Sequence, residues 1–181
     1  MKILFYVEPW VEMQNPDMKS AWVKLFSKKI ISSLNKFGID KFEYYIICGD
    51  SLESLFKQKP LNLPYNASIR YIKTDDLLSI FNNTSEATYA WQNHLYTNRQ
   101  SILMQNLISE QLDKFRPDIC ITYTEAPFLK ELFPQSLVTS CEYGFISRPP
   151  YPETLFFDIF GTYNNSYIKK YSHELEKLNE F

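Results

Sequence analysis

Acidic side chains follow four of the five segments that the sequence predicts to be buried strands. Glu8 and Glu12 come after the first strand, Asp50 after the second, Glu125 after the fourth and Glu142 after the fifth. Carboxylates serve enzymes as general bases and as groups that stabilise positive charge. The carboxyl ends of parallel strands meet at one edge of a sheet, where α/β proteins bind their ligands. The spacing therefore predicts a cleft lined with carboxylates.

Glu142 differs from the other acids because no helix follows it. Asp50 and Glu125 precede helical patterns, so helix capping explains them at least as well as chemistry. Glu142 stands before an aromatic, proline-rich stretch, residues 143–161, with neither a helical nor a strand period. Partial desolvation there would raise a carboxyl pKa toward values useful for proton transfer. A structural Glu held by backbone N–H groups or by Arg148 would have the same surroundings, and the residues alone leave both interpretations open.

The elements that must position these acids begin with a strand, a helix and a strand. Lys2–Val7 and Phe42–Cys48 are apolar runs typical of strands buried on both faces. Between them, residues 21–37 have helical spacing, with Ser20 as the predicted N-cap and Gly38 as the predicted end. The predicted inward face of this helix carries Trp22, Leu25, Phe26, Ile30, Leu34 and Phe37.

Three further strands are predicted, at Ala67–Thr74, Pro117–Thr124 and residues 135–142. A helix over residues 85–115, with a break near Asn93, would connect the third to the fourth. Its predicted apolar face carries Trp91, Leu95, Ile102, Leu103, Leu107, Ile108 and Leu112. A short helix or a loop at residues 51–58, a short helix at residues 126–133 and a last helix at residues 166–181 complete the pattern. The predicted fold is α/β, a single Rossmann-like three-layer domain over residues 1–181 with a mostly parallel sheet of about five to six strands.

Composition excludes several classes of function. The formal net charge is −2 with scattered Lys and Arg, which argues against a nucleic-acid groove. There are 4 Gly and no glycine-rich phosphate loop, so no tightly bound nucleotide cofactor is expected. Neither a signal peptide nor a membrane span is predicted, which favours a cytoplasmic protein. The Asn-x-Ser/Thr matches at Asn66 and Asn82 would then be without meaning.

No metal site is predicted either. Cys48, Cys120 and Cys141 each lie in a separate apolar run and are expected to be buried free thiols. His94 and His173 fall in helical patterns with polar neighbours and are expected at the surface.

Residues 115–161, "FRPDICITYTEAPFLKELFPQSLVTSCEYGFISRPPYPETLFFDIFG", resemble the amino-terminal domain of bacterial GT-B glycosyltransferases. The opening "MKILFYVEP" suits the same domain. More narrowly, "CEYGFISRPPYPETLFFDIFG" looks like a segment of bacterial Kdo transferases that build surface polysaccharides. The resemblance implies an acceptor-side domain facing a second, donor-binding domain. That second domain, of similar size, is not present in the chain.

The resemblance also implies the function and the site. The expected reaction transfers a sugar, for which Kdo from CMP-Kdo is the specific candidate, onto a glycan or glycolipid acceptor of capsule, O-antigen or lipopolysaccharide. Such an enzyme would act at the inner face of the cytoplasmic membrane, and residues 1–181 alone would be inactive. Glu142 matches the catalytic acid of that group. The residues expected to line the cleft and bind substrate are Glu8, Trp10, Tyr123, Glu125, Tyr143, Ser147 and Arg148.

Two other classes remain open. The first alternative is a non-catalytic α/β binding or scaffold domain, in which the aromatic late segment is a partner interface. A flavodoxin-like regulatory module is a weaker third, because the loop after the first strand is a poor phosphate-binding loop.

Overall fold

The computed structural model describes residues 1–7, 16–93, 95–123, 125–143 and 155–159. In this part of the chain the strands are β1 (Lys2–Tyr6), β2 (Glu43–Gly49), β3 (Ala67–Ile72), β4 (Ile119–Thr122), β5 (Leu137–Tyr143) and β6 (Leu155–Asp158). The α-helices are α1 (Pro16–Leu25), α2 (Ser32–Asn35), α3 (Ser51–Gln58), α4 (Thr74–Leu78), α5 (Thr84–Asn93), α6 (Asn98–Leu112) and α7 (Pro127–Leu132). A π-helical turn (Phe26–Ile31) joins α1 to α2, and a 3-10 turn (Ile39–Lys41) precedes β2.

The strands form one sheet in the order β3-β2-β1-β4-β5-β6. The first five in this order are parallel, and β6 runs antiparallel to β5. β1 is central, and its Leu4 lies opposite Tyr45 on one side and Cys120 on the other. The predicted α/β, Rossmann-like fold is confirmed.

Helices cover the two faces of the sheet and create two cores. On one face, α1, the π-helical turn and α3 pack against β1 and β2, with Phe5 stacked on Phe26 at 4.7 Å between ring centroids. On the other face, α4 to α7 pack against Leu4, Tyr6 and Cys120. The crossovers after β1 and β2 lie on the first face and those after β3 and β4 on the second, which is the arrangement that right-handed connections produce.

The segment after Glu142 is less irregular than its composition indicates. Leu155–Asp158 forms β6, which pairs with β5 from Ser140 to Tyr143. The prediction that residues 143–161 have no strand character is therefore wrong. Aromatic residues such as Phe156 and Phe157 suit a strand, but the prolines around them hide the signal.

The first helix begins five residues earlier than predicted, at residue 16 and not at residue 21. α1 starts at Pro16, so Ser20 is a buried residue inside the helix and not its N-cap. Proline suits the first position of a helix, because its missing N–H would have no partner there. Gly38 ends the helical region as predicted, with a φ of 124° that favours glycine.

The π-helical turn changes which residues face the core. A π turn holds more residues than an α turn and rotates the residues that follow it. Ile31 is fully buried, whereas Ile30 is only partly buried. Phe37, predicted on the inward face, is 71% exposed.

The predicted long helix is two helices, α5 and α6, with the break at Asn93 as expected. Thr97 caps α6 in a capping box: its side chain accepts a hydrogen bond from the Gln100 N–H, and the Gln100 side chain accepts one from the Thr97 N–H. The break shifts the helical phase. Leu95 and Ile102, predicted on the apolar face, are exposed, whereas Leu107, Ile108 and Leu112 are buried.

The three cysteines are free and buried, as predicted. Within the residues described, no helix is long and apolar enough to cross a membrane. His94, His173 and the helix predicted at residues 166–181 lie outside the described residues.

Candidate functional site

A crevice is expected at the carboxyl ends of β1 and β4, because the crossovers change faces between these two strands. Such topological switch points are where open parallel sheets bind ligands. Backbone hydrogen bonds fix the chain at this edge of the sheet: the Tyr123 N–H donates to the Tyr6 carbonyl of β1 at 3.3 Å, and the Val7 N–H donates to the Ile47 carbonyl of β2 at 2.9 Å. Glu8 follows Val7 in the chain, but Glu8 and Trp10 lie outside the described residues.

Tyr123 is the predicted site residue that the structure brings to this crevice. It is the first residue after β4, and its half-buried ring packs on Trp22 of α1 at 4.3 Å between centroids. Trp22 in turn lies 5.8 Å from the Phe26 ring. Tyr123 thus belongs to an aromatic row that continues through Trp22 and Phe26 into the core. Trp22 was expected only as a core residue, since its helical spacing does not reveal its position under the crevice.

Glu125 lies beside a small cleft and not at a helix cap. The N-cap residue of α7 is Ala126, so Glu125 stands one residue before the cap. Its neighbours around the cleft include Lys130 and Ser140, and the cleft volume of about 40 Å³ is enough for a water molecule or a small ion. The capping interpretation of Glu125 is therefore not supported by the helix boundary.

Buried hydroxyl groups lie beneath this cleft. Thr122 of β4 and Ser140 of β5 are register partners, and the Thr122 hydroxyl donates to the Ser140 hydroxyl at 3.3 Å. Both residues and Thr139 are less than 8% exposed. Hydroxyl groups in buried strands must find hydrogen-bond partners. The sequence does not reveal this pair, because a Thr and a Ser in two separate apolar runs do not show how β4 and β5 are aligned.

Asp50 has a structural partner. Its carboxylate accepts a hydrogen bond of 2.7 Å from the Thr74 hydroxyl, and its own N–H donates to the Ile72 carbonyl at 2.9 Å. It occupies the N-cap position of α3 but makes no side-chain capping bond. Asp50 therefore joins the loops after β2 and β3. Since β1 lies between β2 and β4, Asp50 and Glu125 belong to different parts of the sheet edge.

Glu142 and Tyr143 are the last two residues of β5. Their backbones pair with Phe156 and Leu155 of β6. β4 pairs with β5 only as far as Ser140, so the final residues of β5 extend beyond β4 at the carboxyl edge. Glu142 was expected at the root of an irregular loop, and it lies instead within a strand pair. Ser147 and Arg148 lie outside the described residues.

Across the part of the chain that the structure describes, no three His, Cys, Asp or Glu residues come together as a metal site would require. The polar groups placed at the carboxyl edge are hydroxyls, Glu125 and the Lys130 ammonium group. The hydroxyls are buried, and the cleft beside Glu125 and Lys130 has room for a water molecule or a small ion.

Comparisons with known proteins add no family. No protein-family model matches the chain, and no curated protein sequence matches it either.

Proposed function

We propose that this chain is the acceptor-side domain of a GT-B glycosyltransferase, with Glu142 as the catalytic carboxylate. The observation that carries the proposal is the parallel sheet β3-β2-β1-β4-β5, at whose carboxyl edge the Tyr123–Trp22 ring contact follows β4 and Glu142 stands one residue before the end of β5. A Rossmann-like domain of this topology is what the sequence resemblance requires. The acceptor would be a bacterial surface glycan or glycolipid, and CMP-Kdo is the proposed donor.

The proposed site residues would have two roles: Glu142 would act in catalysis, and the others would bind substrate. Glu142 would remove the proton from the acceptor hydroxyl or stabilise positive charge on the transferred sugar. The Tyr123 ring, with Trp22 behind it, offers an apolar face on which a sugar ring can stack. Glu125 would accept hydrogen bonds from acceptor hydroxyls. Glu8, Trp10, Tyr143, Ser147 and Arg148 are proposed as further contacts of the acceptor or of the donor carboxylate.

The direct test uses the natural reading frame that contains this chain. Transfer is measured from CMP-Kdo and from a panel of other nucleotide sugars to glycan acceptors. Glu142→Gln should lower kcat about 10²–10⁴-fold, as loss of general base catalysis does. Glu110→Gln, on the exposed side of α6, is the matched control and should leave turnover unchanged. Near-normal turnover of Glu142→Gln would remove Glu142 from the mechanism.

The proposal that transfer needs a second, donor-binding domain can be tested separately. Residues 1–181 alone should bind the acceptor, detected by saturation-transfer NMR, without transferring sugar to it. Robust transfer by this chain alone would contradict the two-domain proposal. So would a natural reading frame that encodes no second Rossmann-like domain.

A binding or scaffold domain is the second candidate, favoured by exposed apolar side chains on and after β6. Phe157 is 44% exposed and Ile159 is 52% exposed. On this alternative, no nucleotide sugar is turned over by the natural protein, and Phe157→Ser weakens capture of a partner protein. Transfer activity that depends on Glu142 would exclude it.

A further inference from the structure

A pocket lies at the outer edge of the sheet, between α3 and β3. We call it the edge pocket. Its volume is about 290 Å³, at the lower limit of ligand pockets, so it has room for one large side chain. Its lining residues are Glu53, Phe56 and Lys57 of α3, residues 60–63 of the loop that follows, and Ile69 and Tyr71 of β3. They belong to one continuous stretch, residues 53–71, which the structure describes throughout.

Hydrogen bonds fix the loop that forms one wall of the edge pocket. The Ala67 N–H donates to the Pro64 carbonyl at 3.0 Å, and the Asn66 side-chain amide donates to the Phe42 carbonyl at 3.0 Å. Asn62 has a φ of 50°, a left-handed conformation that asparagine adopts more readily than most residues. The wall is thus held in place before a ligand binds, which lowers the entropy cost of binding.

The two β3 residues that line the edge pocket also direct their backbone groups outward. In the described sheet β3 is the last strand on one side. The Asn66 carbonyl accepts a hydrogen bond from the Tyr44 N–H of β2 at 2.8 Å, so the even-numbered residues of β3 pair with β2. The N–H and carbonyl groups of Ile69 and Tyr71 therefore point to the outer edge. There the Ile69 carbonyl accepts a bond of 3.3 Å from the exposed Arg70 guanidinium, at the place that the next strand of a sheet would occupy.

The rim of the edge pocket is open to solvent and carries positive charge. The Lys57 side chain is 72% exposed, although it pairs with Glu53 at 2.9 Å. Residues 57–73 contain no acidic residue, in a chain whose formal net charge is −2. Their cations, all exposed, are Lys57, Lys59, Arg70 and Lys73. The rim therefore attracts a ligand that carries carboxylates.

The charge on β3 also distinguishes between two kinds of added strand. A strand that joins a free sheet edge gains affinity from backbone hydrogen bonds and specificity from pockets for its alternate side chains. Opposite charges that face each other across two strands stabilise the pair, and like charges destabilise it. Pairing of β3 with the β3 of a second copy would bring the same cations together. An acidic segment of another protein would instead face them with opposite charge.

We propose that the outer edge of β3 binds an extended acidic peptide segment of a partner protein. The peptide adds a strand to the sheet and places one large apolar side chain in the edge pocket. It forms hydrogen bonds with the backbones of Ile69 and Tyr71, and Arg70 exchanges its bond to the Ile69 carbonyl for a peptide carboxylate. The inference concerns the β3 side of the sheet and does not rest on the proposed glycosyltransferase activity.

Peptide selection followed by amide exchange tests the proposal on the full chain. Random octapeptides are selected by phage display, and the enriched peptides should carry Asp or Glu around one Leu, Ile, Phe or Trp. In the free chain, NMR should show fast exchange of the Ile69 and Tyr71 amides, which face the outer edge. The Arg70 and Ile72 amides should exchange slowly, because they pair with β2. The bound peptide should slow Ile69 and Tyr71 about tenfold or more and leave the other two unchanged.

Several results would overturn the proposal. Slow exchange of Ile69 and Tyr71 in the free chain would show that the chain's own residues already cover the edge. Enrichment of peptides without acidic residues, or binding that leaves both amides unprotected, would also contradict it. Dimerisation of the chain that protects the same two amides would assign the edge to a second copy instead.

A charge reversal and a modified peptide separate the two parts of the proposal. Arg70→Glu should weaken binding of the selected peptide about tenfold, because attraction becomes repulsion. Arg99→Glu is the matched control, since Arg99 is exposed in the first turn of α6 and the net charge changes equally. Equal affinities of the two variants would exclude recognition by Arg70. N-methylation of alternate peptide residues should abolish binding in one phase only, and equal effects in both phases would exclude strand addition.

Discussion

The Thr74 hydroxyl donates a hydrogen bond of 2.7 Å to the Asp50 carboxylate, which joins the loop after β2 to the loop after β3. A hydrogen bond to a charged acceptor contributes about 1.5–3 kcal/mol when it is protected from water. Both residues are half-buried, so the lower part of this range applies. The bond connects the loops at the carboxyl ends of β2 and β3, which lie on the other side of β1 from β4.

Removing this bond should lower the free energy of unfolding. Thr74→Val and Asp50→Ala are each expected to cost about 1–2 kcal/mol in urea unfolding, because each leaves a polar group without its partner. The double variant should cost less than the sum of the two, since the same bond is lost in both. Strictly additive costs would show that Asp50 and Thr74 do not interact in solution. Ser79→Ala, which removes an exposed hydroxyl bonded to the Asp76 carbonyl, is a control with a smaller expected cost.

Asn66 should be more important for stability than its place in an Asn-x-Ser match indicates. Its side-chain amide donates to the carbonyls of Ile39 and Phe42 at 2.9 and 3.0 Å and lies 3.0 Å from the Asn35 amide oxygen. Asn66→Ala removes the amide donor from these three acceptors and should cost about 1–3 kcal/mol in urea unfolding.

The second Asn-x-Ser/Thr match is the control for Asn66. Asn82 is exposed and bonds to the Glu86 carboxylate. Asn82→Ala should change the free energy of unfolding by no more than about 0.5 kcal/mol. Equal effects of the two variants would mean that the Asn66 contacts contribute nothing.

Two tyrosines should make the fold sensitive to high pH. Burial raises the pKa of Tyr44 to about 12. Burial first, and then the nearby Cys48 and Glu53, raise the pKa of Tyr71 to about 12. An unfolded tyrosine releases its proton near pH 10, so between pH 10 and 12 the folded chain holds protons that the unfolded chain has released. Stability is therefore complete below pH 10 and falls as the pH rises toward 12.

The Tyr44 contribution can be isolated by removing its hydroxyl. Tyr44→Phe should flatten the fall of unfolding free energy between pH 10 and 12, measured by urea unfolding at several pH values. It should also lower stability at neutral pH, because the Tyr44 hydroxyl donates to the Asn35 side chain at 3.1 Å. Tyr89→Phe is the control, since Tyr89 is 60% exposed. An unchanged pH slope in Tyr44→Phe would assign the effect to other groups.

The cysteines should be inert in the native state. All three are buried, and burial raises the pKa of the Cys120 thiol to about 12, so little thiolate forms at pH 8. Ellman's reagent should label no thiol in the folded chain and three thiols after denaturation. Rapid labelling of one thiol before unfolding would show that one core opens locally.

The sequence predicts the fold where a single local pattern decides the structure. Apolar runs such as Lys2–Val7 correctly predict β1, β2 and β4, because strands buried on both faces have few polar residues. Phe37 and Leu95 are assigned wrongly, because a π turn and a helix break rotate the residues after them. The Thr97-x-x-Gln100 capping box was visible in the sequence and would have located the start of α6 at Asn98.

The candidate site is less predictable, because it depends on pairs that are distant in sequence. The contact between Trp22 and Tyr123 joins α1 to the end of β4, and the Thr122–Ser140 bond depends on strand register. Neither the ring contact nor the hydrogen bond produces a recognisable pattern in the local sequence. β6 was missed for the same reason, since its pairing with β5 and not its own composition makes it a strand.

Because β1 lies between β2 and β4, its two edges find their partner strands at different times during synthesis on the ribosome. β2 and β3 can join one side of β1 early, but β4 joins the other side only when Asp118, which accepts a hydrogen bond from the Lys2 N–H, has been made. At about 5–20 residues per second, that edge of β1 stays unpaired for roughly 5–20 seconds. An apolar strand with a free edge is a template for aggregation. Nascent chains that stall before residue 118 should therefore depend on chaperones more than chains that have passed residue 143, in which β4 also has its partner β5.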